Sequence, residues 1–303
     1  MARAFKIGIQ LPETEYEVSW SELKTMARLA EQVGFDSLWV GDHLLYRDED
    51  GVRGPWEAWT QLAALAAVTE RMELGPLVAA TSFHNPAMIA KKAATLDEIS
   101  GGRLILGLGA GWNEPEYRAF GFPFDHRVDR FEEAFTIIRT LLREGRIDFD
   151  GRYYQARDCE LLPRGPRRQG PPLMIGSNGP RMLELTLPYV DAWNAWFAWF
   201  GNDPEKLRPM LAAVDETCQK VGRDPAEVQR TVAVLVRTSL AEKQVDEADR
   251  RGRKSTALVG TPQQIADGLN AFGEIGVNHL QLVVDPITAG SIEELAPALA
   301  LVG

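Results

Sequence analysis

Four stretches carry residue types whose spacing could do chemistry. Asp42-His43 follows the apolar run Ser37 to Val40. An acid and an imidazole at a strand end could donate to ring heteroatoms or pass a proton beside a hydride transfer. The competing reading is an aspartate that caps backbone, with His43 packed or solvated. Gly107, Gly109 and Gly111 follow a second apolar run, Arg103 to Leu108, and leave backbone on which a flat ligand could lie without meeting Cβ atoms. The dinucleotide-binding fingerprint needs a further glycine where Trp112 stands, so a Rossmann reading fails on spacing. Gly176-Ser177-Asn178-Gly179 joins a strand to a helix opening at Pro180, an arrangement that turns backbone N–H groups toward an anion or is a plain glycine turn. Asp191 to Phe200 (DAWNAWFAWF) ends another strand on a dense aromatic cluster with Trp193 and Trp196. That cluster suits an apolar substrate or lid, and equally core packing or a dimer contact.

These stretches need strands that end at a common level. Phe5 to Leu11, Ser37 to Val40, Glu73 to Ala80 and Arg103 to Leu108 read as the first four, with helices at Trp20 to Val33, Glu57 to Glu70 and Asn85 to Ile99 between them. Leu173 to Gly176, Val190 to Ala195, Gln229 to Arg237 and Asn278 to Val284 supply the other four, with helices from Pro180, Pro204 to Val221, Pro262 to Ile275 and Ile292 to Val302. Apolar runs without alternation fit parallel strands covered on both faces. Eight strand-helix units imply an α/β fold, a (β/α)8 TIM barrel with its site at the carboxyl ends of the strands. The polar, proline-rich stretch at about 147–170 and the charged one at about 239–258 read as insertions into a single domain spanning 1–303.

The totals narrow the partners. A chain of 303 residues, 45% hydrophobic, can bury the core of one such barrel, or of two smaller domains. A net charge of −10 without a dense Lys/Arg block argues against nucleic acid and anionic membrane and favours a small molecule. Cys159 and Cys218 are far apart and suggest neither a disulfide nor zinc; His84, His126 and His279 show no ligand spacing and read as structural or surface, with no metal. No apolar run approaches a membrane span and no signal core opens the chain, so a cytoplasmic protein is expected.

The segments GFDSLWVGDH, EAWTQLAALAAVTERMELGPLVAATSFHNPAMIAKKAATLDEISGGRLILGLGAGWNEPEYRAFG and IGSNGPRMLELTLPYVDAWN together resemble the luciferase-like monooxygenase superfamily, most of all its branch dependent on the deazaflavin coenzyme F420. The likeness runs from Phe5 to Val284, with several motifs in the same order. It implies the bacterial luciferase-like barrel, often as a homodimer. It also implies that Asp42 contacts the cofactor and that His43 does acid/base work. Ala79, Ala80 and Thr81 match the place where relatives carry a non-proline cis peptide behind the ring, although small residues there fit simple close packing as well. The loop of Gly107, Gly109, Gly111 and Asn113 would approach the ring. Gly176, Ser177, Asn178 and Gly179 would take the ribityl phosphate that F420 and FMN share, and Arg181 could add charge there or face solvent. Trp112, Trp193 and Trp196 would line the substrate pocket. Trp112 departs from the family's sugar-phosphate dehydrogenase, which has a catalytic glutamate at about this point; Glu114 and Glu116 read as solvated helix-start acids.

The expected activity is hydride transfer between F420 and an apolar organic substrate. One alternative is an FMN-dependent, alkanesulfonate-type monooxygenase using reduced flavin and O2. A second is a non-catalytic protein that binds flavin or deazaflavin.

Overall fold

The computed structural model describes residues 3–48, 51–241 and 256–303. It has the α/β, (β/α)8-barrel fold class expected from the repeat. In chain order the strands are β1 (Lys6–Gln10), β2 (Ser37–Val40), β3 (Tyr46–Asp48), β4 (Gly51–Arg53), β5 (Glu73–Pro76), β6 (Ala79–Ala80) and β7 (Leu106–Gly109). They continue with β8 (Arg146–Asp150), β9 (Gln155–Glu160), β10 (Leu173–Gly176), β11 (Ala192–Ala195), β12 (Gln229–Arg237) and β13 (His279–Asp285). The contacts group into two compact units, Met1–Trp39 with Gly176–Gly303, and Val40–Ile175.

In the first unit β1 pairs in parallel with β2 on one side and β13 on the other, and the run continues through β12 to β11. Ile7, Ile9, Val232, Val234, Leu280 and Leu282 are fully buried on these strands. Burying each such side chain is worth about 1.5–3 kcal/mol relative to exposure, which drives the apolar runs into a sheet covered on both faces. The helix Trp20–Val33 begins where Ser19 and Glu22 form a capping box and stops at Gly34, whose φ of 99° suits a residue without a side chain.

In the second unit β7 pairs in parallel with β6 (Ala79↔Leu108, Ala80↔Gly109) and with β10 (Leu173↔Leu106, Ile175↔Leu108). Leu74 of β5 forms a parallel bridge with Leu104. The single third strand expected at Glu73 to Ala80 is therefore two, separated at a cis peptide bond between Leu77 and Val78. The stretch at about 147–170 includes the antiparallel hairpin of β8 and β9, and β3 pairs with β4 in a second hairpin within the loop after Asp42-His43. Of the charged insertion expected at about 239–258, residues 242–255 lie outside the described residues. Among the described residues no helix is long and apolar enough to cross a membrane.

Candidate functional site

In the second unit the chemistry gathers where β2, β6 and β7 end. Asp42 is buried, and its Oδ2 accepts the Ala80 backbone N–H at 2.9 Å. His84 Nε2 approaches the same oxygen at 3.5 Å, within ion-pair reach but without hydrogen-bond geometry. A carboxylate taken out of water needs such donors, and here the aspartate straps one strand end to the next. The backbone-capping alternative thus describes Asp42 in this structure.

His43, its immediate neighbour, has a different partner. Its Nδ1 lies 2.9 Å from Glu116 Oε1, while Glu116 Oε2 accepts the backbone N–H of Leu44 at 2.8 Å and of Leu45 at 3.4 Å. Glu116 is only 1% exposed, which corrects the expectation of a solvated helix-start acid. It occupies the first turn of the helix Glu114–Phe120, two residues after Glu114, which does face solvent. Asn113 precedes that helix and donates its Nδ2 to the Leu45 carbonyl at 2.9 Å, so two residues from one helix start hold residues 43–45. The rings of Tyr46 and Trp112 lie 4.8 and 5.6 Å from the imidazole, and Trp112 is 56% exposed.

Gly107 and Gly111 each lie against the protein's own atoms. A Cβ on Gly107 would stand 2.2 Å from the Pro76 carbonyl oxygen and 2.9 Å from Val78 Cγ1, so β5 and its continuation occupy the space a side chain would take. Gly111 adopts φ +75°, and a Cβ there would stand 1.8 Å from Tyr117 Oη. That hydroxyl donates to the Ala110 carbonyl at 2.9 Å, and burial pushes its pKa well above the ordinary tyrosine value. Thr81 donates its hydroxyl to the Gly109 carbonyl at 3.2 Å. Gly107 therefore answers to a neighbouring strand on the side a Cβ would take. The non-proline cis bond also falls earlier than the family likeness placed it, at Leu77-Val78, and Ala79 and Ala80 instead pair with Leu108 and Gly109.

In the first unit, Gly176 ends β10 and Gly179 precedes the helix Pro180–Thr186 without a side-chain cap; open space surrounds the position of a Gly179 Cβ. Trp193 is 1% exposed and donates Nε1 to the Ser177 carbonyl at 2.7 Å. It braces the Ser177-Asn178-Gly179 loop from an enclosed position. Trp196 is half-buried and packs on Phe197 with ring centroids 4.7 Å apart. Sequence reasoning missed a polar patch next to Trp193. Asn194 donates Nδ2 to Thr231 Oγ1 and to Gln281 Oε1, both at 2.8 Å. Gln281 Nε2 and Gln10 Oε1, both buried, have no hydrogen-bond partner. The signal was a glutamine closing the apolar stretch of β1 and another between the leucines of β13. His279 is buried, 2.6 Å from Ser37 Oγ, and burial together with the charge of Lys6 lowers its pKa to about 3. Among the described residues no group of three or more His, Cys, Asp or Glu could hold a metal ion.

The chain matches the luciferase-like monooxygenase family over residues 5–251. It is 37% identical to the F420-dependent glucose-6-phosphate dehydrogenase of Amycolatopsis mediterranei (strain U-32), across 70% of this chain and 64% of that one. It is 29% identical to the pyrimidine monooxygenase RutA of Rhizobium rhizogenes (strain K84 / ATCC BAA-868), across 94% and 81% respectively. Among solved structures, an F420-dependent secondary alcohol dehydrogenase in complex with an F420-acetone adduct superposes with a TM-score of 0.84 at 21% identity, covering 99% of both chains, a likeness of fold. With its strand repeat, its Asp42-His43 strand end and the match over most of its length, the chain belongs to the luciferase-like monooxygenase family and is an enzyme of that family.

Proposed function

We propose that the protein is an F420-dependent oxidoreductase that moves a hydride between the deazaflavin and an apolar organic substrate, with His43 transferring the accompanying proton. The observation that carries this reading is the His43–Glu116 pair, an imidazole at a strand end held by a buried carboxylate. The dehydrogenase relative at 37% identity supports F420 as the cofactor. The residues suit such a group. Gln281 Nε2 and Gln10 Oε1 are a buried donor and a buried acceptor without hydrogen-bond partners, complementary in kind to the C=O and N–H groups of such a ring.

When bound, F420 supplies a two-electron hydride carrier. The chain's own residues bind, orient and handle the proton. Backbone N–H groups of Ser177 and Asn178 would hold the ribityl phosphate, in a loop where Gly179 N–H donates to Ser177 Oγ at 3.4 Å and which Trp193 braces. Asp42 keeps Ala80 at its strand end. Trp112, exposed beside the His43 ring, would offer apolar surface to a substrate.

The 29% identity to a pyrimidine monooxygenase across 94% of the chain supports a second reading, an FMN-dependent monooxygenase. Turnover assayed without oxygen separates the two. F420-linked conversion of a substrate panel under anaerobic conditions is the expected result. Conversion that requires O2 together with reduced FMN would overturn the proposal in favour of the second reading.

A further inference from the structure

We propose that Glu116 is a positioning residue that fixes His43 in the tautomer with its proton on Nδ1 and its lone pair on Nε2. The inference rests on the reading of His43 as the proton-transfer group. An ionised carboxylate accepts hydrogen bonds and cannot donate them, so the imidazole nitrogen 2.9 Å from Glu116 Oε1 must be the one that bears hydrogen. The other oxygen is engaged by the Leu44 and Leu45 backbone N–H groups, which prevents the carboxylate from rotating away. At 1% exposure no bulk water competes for it. Asn113, three residues earlier, ties the Leu45 carbonyl to the same helix start, so the imidazole is held against a fixed frame.

The tautomer decides which proton step His43 can take. With the lone pair on Nε2, the neutral imidazole could receive the proton that a substrate releases as it is oxidised, while bound F420 would take the hydride. In the reverse direction Nε2–H would return that proton. The opposite tautomer has no lone pair on Nε2 and cannot begin the forward step. The carboxylate also compensates the positive charge the imidazole gains on accepting the proton, a stabilisation absent before transfer.

The test is a long-range 1H–15N correlation spectrum of the apoprotein labelled with 15N-histidine, with the His43 signals assigned as those lost in His43→Asn. The wild-type protein is expected to show His43 protonated on Nδ1 when neutral. In Glu116→Gln the amide oxygen takes the backbone donors and its NH2 group faces Nδ1, so the neutral ring is expected to switch to Nε2–H. A wild-type ring protonated on Nε2 would overturn the proposal, as would a folded Glu116→Gln protein that keeps the Nδ1–H form. Should Glu116→Gln fail to fold, the wild-type spectrum decides alone. Because no cofactor is present, a protein that shows the expected tautomer yet fails to bind F420 would refute the proposed function and leave this assignment standing.

Discussion

His43 and His279 are both tied to an oxygen on another segment, and they sit at opposite ends of their strands. His279 opens β13, faces Ser37 at 2.6 Å and is buried with a pKa near 3, so it stays neutral at physiological pH. His43 follows the end of β2, has a side chain 17% exposed and faces a buried carboxylate. The amino ends of parallel strands serve stability and the carboxyl ends serve chemistry. A hydroxyl partner with full burial holds His279 in its neutral form, whereas His43 faces a buried carboxylate and keeps part of its own ring exposed. The type of partner and the end of the strand separate His279 from His43, the residue proposed to move a proton.

The sharpest way to break this contrast is to remove each ring in turn. His43→Ala is expected to lower F420-linked turnover by about a hundredfold or more, the usual contribution of a positioned acid or base, while F420 affinity measured by fluorescence quenching is retained. Full turnover in that variant would end the proton-transfer role. His279 should instead govern stability against pH. Its folded pKa, about 3, is below the unfolded value of about 6.5, so the unfolded chain binds the proton first. Its contribution is present above about pH 6.5 and is lost as pH falls toward 3, with a slope of up to about 1.4 kcal/mol per pH unit. Urea unfolding of wild type and His279→Gln across that window checks this, and the variant should show the shallower dependence.

A smaller effect tests the packing beside His43. Gly111→Ala places a methyl group 1.8 Å from Tyr117 Oη at a backbone angle of +75°, and should cost about 1–3 kcal/mol in denaturant unfolding. Trp193→Phe removes one hydrogen bond to the Ser177 carbonyl. It should cost about 1 kcal/mol of stability and weaken F420 binding a few-fold, read by unfolding and by titration.

Much of this architecture was legible in the residues. The helix Trp20–Val33 has the expected bounds because its stop and start signals are local, Ser19 and Glu22 at one end and Gly34 at the other. The division of the third strand was only faintly legible. Pro76, which cannot donate to a strand ladder, ends β5 and was the available signal, passed over because the residues on both sides of it are apolar. Glu116 is a different case. Glu114 and Glu116 both suit a helix start by charge, and what distinguishes them is a contact to His43, 73 residues earlier in the chain. Trp193 has an apolar body and one donor, and only the fold shows that the donor is spent on Ser177. Gly107 invited a ligand reading because a missing side chain looks the same whether a ligand or a neighbouring strand fills the space.

The central claim is tested most directly by titrating the purified apoprotein side by side with F420 and with FMN, following the fluorescence of each ligand. The account predicts tight binding of F420 and weak binding of FMN. Preference for FMN would contradict it and move the protein to the monooxygenase reading, and binding of neither would remove the cofactor assignment altogether.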